Sequence, residues 1–582
     1  MTLADLLVRA SASTDTGLRF LDRRERATWL SWREVHARAT AACGRMQAVG
    51  VRPGDRVALV YPTSPEFFDA FFGALLAGAV PVPLYPPVRL GRLDEYAART
   101  AAMLRAAGAR LVLSEPRVRR LLGTAVAPAA PELGCRALDE LPSDAAAPVV
   151  ASPDDLALVQ FSSGTTVEPK PVALTHRAVI AQTERLNGFW PQPEGRVVDS
   201  GVSWLPLYHD MGLVGCVLPA LANPGTLTLI PPEVFVAWPA VWLRTISRYG
   251  ATISPAPNFA YGLCVQKVRD EELDGVDLSS WRVALNGAEP VAPGVLRAFI
   301  DRFSRWGFRA EALTPVYGLS EAALAVTFSD LHSRFTSRRF DRDVLASEGR
   351  AVPTPDGVEL VSVGRPLPDF DLRLVDPGGR PVGADRVGRV LVRGPSLMSG
   401  YLGRPEATAA AIRDGWLDTG DLGFVHAGEL YLTGRAKDVL ILNGRNHAPS
   451  EVEHAIDRVE GVRTGCAVAA SWRPDDADRE WLVVLVEAAR DAAVDRWAAI
   501  ARDCVAEVRS ATGLSADRVE ILPAGTLPRT SSGKLRRREA LRRWLTGELS
   551  APATVGVLRL AGAMVRSSLA FAAMERSRAD AG

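Results

Sequence analysis

Residues 56–85 read RVALVYPTSPEFFDAFFGALLAGAVPVPLY, and the fold class turns on how this stretch is parsed. RVALVY (56–61) is a short apolar run rich in valine, the pattern of a strand buried on both faces. Pro65 opens the next segment, as suits the first turn of a helix, and helical character runs to Leu76. VPVPLY (80–85) reads as a second strand. The apolar run from Ala70 to Tyr85 is too short to span a bilayer and is broken by Gly73, Gly78, Pro81 and Pro83. A strand, helix, strand order of this kind argues for parallel sheets with helices on both faces.

The alternation continues outward from this unit. Asp94 to Ala107 reads as a helix and RLVLS (110–114) as a strand. LALVQFSS (156–163), TLTLIPP (226–232), ATISP (251–255), RVALNGAE (282–289) and LTPVYG (313–318) read as further strands, with helical intervals at 233–249 and 291–305. The Pro/Ala-rich stretch 127–153 reads as a surface connection. From about residue 358, VELVSVG, FDLRLVD and VGRVLVRG follow one another with little helix between, and PGG (377–379) is a turn signal. After TGRAKD a short α+β unit follows, ending in RTSSGKLRRREALRRW. The expected fold class is α/β. A large N-terminal domain (1–436) combines parallel-sheet α/β subdomains with a β-rich subdomain. A small mobile α+β C-terminal domain (437–545) and a helical or disordered tail (546–582) complete the chain. In the tail, Arg559 and Arg566 lie one heptad apart in a weakly amphipathic, alanine-rich pattern. It reads as a helix lying on the body or frayed in solvent, with peripheral membrane or partner docking as the alternative.

Composition narrows the function classes. Of 582 residues, 47% are apolar and 23% charged, so the chain has the composition of a globular protein rather than a disordered one. Sixty-eight basic residues against 67 acidic ones leave a net charge of +1, and no global field draws the chain to nucleic acid. The six cysteines form no CxxC pair and no zinc-like spacing. The start, MTLADLLVRA, lacks a basic leader and carries Asp5 in its apolar run, so the expected location is cytoplasmic, without a transmembrane segment. Only four of the 68 basic residues are lysine: Lys170, Lys267, Lys437 and Lys534. Three of these sit in SSGTTVEPKP, TGRAKD and RTSSGK. Arginine is a planar fork and lysine a compact charge on a thin stem, so lysines kept in tight turns point to sites that must reach a single oxygen.

Chemistry-bearing segments stand at strand ends. FSSGTTVEPKP (161–171) offers hydroxyls, backbone N–H groups and one lysine, which suits phosphate oxygens; with Pro169 and Pro171 around Lys170 it is not a Walker A loop. In SWLPLYHDMGLVG (203–215), His209 and Asp210 fall where α/β ligand crevices lie. NGAEPV (286–291) and TPVYGLSEAAL (314–324) bring Tyr317, a flat face for a purine, and Glu321, a carboxylate suited to Mg²⁺. Asp421 lies in the glycine-bounded turn of GWLDTGDLGF (415–424), where a carboxylate can accept bonds from ribose hydroxyls.

The order SSGTT…PK, LPLYHD, NGAEP, YGLSEA, DTGD, TGRAKD, RTSSGK strongly resembles the adenylate-forming superfamily of acyl-CoA synthetases, non-ribosomal adenylation domains and luciferases. LPLYHDMGL, PNFAYGLC (257–264), NGAEPV and GRNH (444–447) are most similar to its fatty acyl-AMP ligases. The resemblance implies an ATP-dependent, Mg²⁺-requiring ligase that converts a fatty acid to an acyl-adenylate and hands it to an acyl carrier protein. By resemblance Ser162, Ser163, Gly164, Thr165, Thr166 and Lys170 hold the β- and γ-phosphates and Glu321 binds Mg²⁺. Tyr317 and Gly318 lie against adenine, with Gly287, Ala288 and Glu289 around it. Asp421 and Arg435 hold the ribose. Lys534 bridges the acyl carboxylate and the α-phosphate, and Lys437 marks the hinge. His209, Asn258 and Phe259 border the acyl pocket. The branch carries an insertion after YGLxEA, for which Phe335 to Gly357 is the candidate. Val167 and Pro171 depart from the superfamily's glycines, which removes backbone freedom and one N–H from the phosphate loop. An acyl-CoA ligase and a non-catalytic acyl- or nucleotide-binding relative are the competing readings. The basic run at Arg536, Arg537, Arg538, Arg542 and Arg543 reads either as a solvated helix or as a landing site for an acidic carrier.

Overall fold

The computed structural model describes residues 1–87, 90–162, 169–190, 199–331, 333–442, 445–474, 477, 479–530, 533–553 and 556–579. The opening stretch forms a parallel unit. Strand Arg56–Val60 pairs in parallel with Val80–Leu84 on one side and Leu111–Ser114 on the other, and Gly134–Arg136 extends the sheet. Val80–Leu84 is the edge strand, which accommodates Pro81 and Pro83 without the loss of ladder bonds that a central strand would suffer. Helix Pro65–Leu76 is buried from Phe67 onward, as its apolar sequence requires. It crosses Trp32–Ala48 closely: a Cβ on Gly73 would stand 2.7 Å from that of Ala42.

A second sheet runs Ala27–Ser31, Gly17–Leu21, Thr226–Leu229, Ser200–Ser203. Parallel bridges through Ile253 connect it to Ala284–Gly287 and Leu313–Gly318, after which Ala325–Phe328 turns antiparallel. The strand expected at 251–255 is thus reduced to bridges at Ile253; Pro255 has no ladder donor, and pairing resumes at Ala256–Pro257 opposite Asn286 and Gly287. The helix expected at 233–249 is two helices, Pro232–Ala237 and Ala240–Tyr249, separated at Pro239. The stretch 127–153 contributes strand Gly134–Arg136 as well as connection.

Beyond residue 358 the sheet is antiparallel: Asp371–Val375, Gly388–Arg393, Trp416–His426 and Glu429–Arg435 pair in succession. The expected excursion near 335–357 is a strand pair, Ser337–Phe340 against Val358–Val361, enclosing helix Arg342–Glu348. Arg342 bonds Glu451 at 3.0 Å and Arg445 bonds Asp343 at 2.9 Å, so this excursion touches the C-terminal unit.

That unit has its own core. Val462–Trp472 and Trp481–Ala488 pair antiparallel and Arg518–Leu522 joins in parallel. Helices Pro449–Ile456 and Trp497–Thr512 cover one face, and Arg537–Leu545 covers the other. The tail is helix Val557–Ala579, packed on Gly123–Val126 of the first sheet's helical layer. Ser567 is buried and its hydroxyl accepts the Gly123 N–H at 2.7 Å, while Phe571 and Met574 join the core around Leu122 and Val126. Among the described residues no helix is long and apolar enough to cross a membrane.

Candidate active site

The carboxyl ends of the parallel strands, where α/β crevices form, surround a cavity of about 860 Å³. Ser162, His209, Asp210, Tyr317, Glu321 and Arg435 line it from the large unit, and Lys534 enters it from the C-terminal one. The Gly533 N–H bonds the Thr530 carbonyl at 3.1 Å, and the Lys534 backbone N–H is pinned to the Thr530 hydroxyl at 3.0 Å. Burial, then the Arg435 charge, lower its pKa; Asp210, Glu289 and Asp421 oppose them.

Two carboxylate clusters face the cavity. Asp210 is buried; burial works to raise its pKa, yet the His209 ring, 2.5 Å from Oδ1, and the donated Ser320 hydroxyl hold it below the ordinary range. Asp210 is therefore a fixed anion opposite Lys534. Asp421, also buried, accepts the Tyr317 hydroxyl at 2.7 Å on Oδ2 and lies 3.1 Å from Arg435 Nε on Oδ1. The Arg435 contact follows from strand pairing, since Asp421 stands directly opposite Arg435 in the antiparallel ladder. Glu321 accepts the Tyr401 hydroxyl at 2.9 Å, and the Lys170 ammonium lies 4.7 Å from the centre of that Tyr401 ring. Burial, then the nearby Lys437 charge, lower the Lys170 pKa. Among the described residues no three His, Cys, Asp or Glu side chains gather as metal ligands.

The other expected residues fall as follows. Ala288 lines the cavity with φ +67°, and Gly287 is where the backbone passes so close that a Cβ would stand 2.6 Å from Val316 Cγ2. Gly318 lines the cavity too. Glu289 accepts the Phe259 N–H at 2.6 Å, and burial raises its pKa. Asn258 and Phe259 stand outside the cavity lining. Asn258 is turned into the protein, accepting the Ala292 N–H at 3.2 Å, and Phe259 is exposed with its ring edge-on to Trp204. Lys437 is exposed; its carbonyl accepts both Arg538 Nε and Nη2, at 3.0 and 2.6 Å. Ser163, Gly164, Thr165, Thr166 and Val167 lie outside the described residues.

Much of the arginine run is engaged within the molecule, although Arg538 and Arg542 are also exposed. Arg537 forks onto Glu453 with two bonds of 2.6 Å, and Arg542 and Arg543 share Glu539. Arg543 also pairs with Glu95 of the large unit at 3.0 Å. Three further residues emerge only in three dimensions: Ser320 on Asp210, Tyr401 on Glu321, and buried Asp438, whose carboxylate oxygens make no hydrogen bond of good geometry although Arg537 Nη1 stands 3.5 Å away.

Family models match the chain in two places: AMP-binding enzyme over residues 8–402, and Disco-interacting protein 2-like, AMP domain over residues 437–554. A putative acyl-CoA synthetase of Caulobacter vibrioides is 36% identical, over 92% of this chain and 94% of its own. JamA of Moorena producens, a medium-chain-fatty-acid–acyl-carrier-protein ligase, is 33% identical over 97% of this chain and 99% of its own. A structure from studies of fatty acyl-adenylate ligases from E. coli and L. pneumophila superposes with a TM-score of 0.88 at 35% identity, covering 94% of this chain and 98% of that one.

Proposed function

The chain belongs to the AMP-binding enzyme family, and from that premise we propose that it is a fatty acyl-AMP ligase that charges an acyl carrier protein. The observation that carries the reading is an amine from the C-terminal unit, Lys534, lodged in a cavity whose other walls belong to the large unit. A carboxylate is a poor acyl donor because hydroxide leaves badly. Attack of its oxygen on the α-phosphorus of ATP, with departure of pyrophosphate, installs AMP as a good leaving group. Negative charge grows on the α-phosphate oxygens, and a preplaced cation in a site shielded from water lowers that barrier. Lys534 is that cation, bridging the acyl carboxylate and the α-phosphate, while Asp210 keeps the ammonium charged and aimed.

Tyr317 and Gly318 flank the adenine with Gly287, Ala288 and Glu289. Asp421 binds the ribose hydroxyls, oriented beforehand by Tyr317 and Arg435. Ser162 to Thr166 and Lys170 receive the β- and γ-phosphates. Mg²⁺ fits Glu321: a carboxylate beside a phosphate site suits an ion that takes one or two protein carboxylates and completes its shell with phosphate and water. His209 stands at the entrance for the acyl carboxylate. In the second half-reaction the phosphopantetheine thiolate attacks the acyl carbon, the C–O bond to AMP breaks, and AMP leaves. We place the joint between the 1–436 and 437–545 units at Lys437, about which Lys534 withdraws.

The test is mass spectrometry of products formed from ATP and a mixture of carboxylic acids, with phosphopantetheinylated carrier protein, with coenzyme A, and with neither. An acyl-adenylate without acceptor and an acylated carrier with it are expected. Equal or faster acylation of coenzyme A replaces this reading with an acyl-CoA ligase, and binding without pyrophosphate release replaces it with a non-catalytic relative.

A further inference from the structure

A short segment ties together two groups at the phosphate end of the cavity. Gly400–Tyr401 is a two-residue strand laid antiparallel along Pro171–Thr175, with Gly400 opposite Ala173 and Tyr401 opposite Val172. The Ser399 N–H bonds the Ala173 carbonyl at 3.0 Å and the Leu402 N–H bonds the Pro171 carbonyl at 2.8 Å. The segment is thus fastened to the strand that begins just after Lys170. At its other end the Met398 N–H bonds the Glu321 carbonyl at 2.8 Å. The buried Tyr401 side chain repeats this double attachment. Its hydroxyl donates to Glu321 Oε1 at 2.9 Å, and the Lys170 ammonium stands over its ring, 4.7 Å from the centre. Burial, then the Glu321 charge, raise the pKa of the Tyr401 hydroxyl, so it remains a donor.

We propose that segment 398–402 is a spacer that sets the separation of the phosphate lysine from the metal carboxylate, and that Tyr401 is its positioning residue, holding Lys170 by its ring and Glu321 by its hydroxyl. The inference rests on the roles proposed above for Lys170 and Glu321. An ammonium and a carboxylate in a partly buried site attract one another, and a lysine stem is flexible enough to close on the carboxylate. Paired together, the two would neutralise the charges that they must offer to a metal-bound polyphosphate. The tyrosine gives each a weaker partner, a ring face for the cation and a hydroxyl for the anion. A bond on one carboxylate oxygen also orients the group and leaves its second oxygen to a cation.

Binding of pyrophosphate is measured by calorimetry with and without Mg²⁺ for the wild type, Tyr401→Phe and Tyr401→Leu. ATP–pyrophosphate exchange is followed beside it, and the melting temperature reports folding. In the wild type Mg²⁺ should strengthen pyrophosphate binding. Tyr401→Phe keeps the ring and loses the hydroxyl. Its metal-free binding should stay within about twofold, while the gain from Mg²⁺ falls by roughly fivefold to tenfold and exchange needs correspondingly more Mg²⁺ for half its maximal rate. Tyr401→Leu removes both contacts and should in addition weaken metal-free binding by about threefold to tenfold. An equal gain from Mg²⁺ in the wild type and Tyr401→Phe overturns the proposal, as does metal-free binding untouched in Tyr401→Leu. A loss in Tyr401→Phe that is the same with and without Mg²⁺ reduces Tyr401 to packing and overturns it too, as does a wild type that binds no pyrophosphate. If pyrophosphate binds but no acid supports exchange, the ligase reading falls and the calorimetry still decides Tyr401.

Discussion

The C-terminal unit meets the large one along two edges that differ in kind. At the joint, Asp438 is buried with its carboxylate poorly bonded. At the far edge the ties are numerous and well formed. Arg92 reaches the carbonyls of Gly525, Thr526 and Ser550 at 3.2, 3.0 and 3.1 Å, and Arg543 pairs with Glu95. The tail helix packs on the large unit just beyond. The charge of Arg537, 3.5 Å away, offsets the burial of the Asp438 carboxylate. Ties on both sides, Arg342–Glu451 and Arg445–Asp343 near the joint and Arg92 and Arg543–Glu95 at the far edge, together hold the unit that carries Lys534.

The largest effect is expected at the group that the two edges together position. Lys534→Ala should cut ATP–pyrophosphate exchange by about a hundredfold to a thousandfold with ATP affinity changed only a few-fold; equal loss of both would show that the C-terminal unit delivers no catalytic group. Next comes the tail. A Cβ on Gly123 would stand 2.0 Å from the Ser567 carbonyl oxygen, so Gly123→Val should expel the helix. The melting temperature should fall by several degrees, and residues 546–579 should open to protease. An unchanged digestion pattern would remove the tail from the far edge.

Acid titration sets the far edge apart from the rest of the large unit. His176 is buried, its Nδ1 accepts the Leu3 N–H at 3.1 Å, and burial lowers its pKa to about 4 from 6.5. The folded state thus resists the proton that the unfolded chain accepts, so this contribution is whole above pH 6.5 and is lost as pH falls toward 4. Burial works to raise the Glu95 pKa, but Arg543 and Arg92 lower it overall, so Glu95 loses its contribution only below the ordinary glutamate range. His176→Asn, which keeps an acceptor for Leu3, should flatten the first phase of a stability–pH curve and leave the second; a curve unchanged in its first phase would assign that phase elsewhere. The smallest effect is expected for the Glu95–Arg543 pair, with a double-mutant coupling of about 0.5–1 kcal/mol that shrinks in salt. Coupling indistinguishable from zero would shift the burden of the far edge to Arg92.

Local pattern makes much of this legible. Helix Pro65–Leu76 has the limits that its proline start and apolar run suggest, because nearest-neighbour chemistry decides both. Segment 251–255 has the composition of a strand yet forms only bridges, because pairing at Ile253 depends on strands from either side of it in space. In the site, Tyr317, Glu321, Asp421, Arg435 and Lys534 stand on motifs at strand ends and turns, where chemistry and backbone geometry coincide. Ser320 on Asp210 and Tyr401 on Glu321 are pairings across 110 and 80 residues, and no local signal marks them. The arginine run is opaque in part for the same reason: Glu539 beside Arg542 and Arg543 is local, but Glu95 and Glu453 lie far away in the chain.

The polypeptide enters the C-terminal unit at the joint and returns to the large body through the tail helix, so that unit hangs between two anchorages. Eleven residues separate Leu545 from Val557, a leash of roughly 36–40 Å when drawn taut. The connection is held partway, at the Ser550 carbonyl by Arg92, so the withdrawal of the lysine proposed above has to release that contact or draw on the residues beyond it, and trimming or lengthening those would change its reach without touching a single reacting atom.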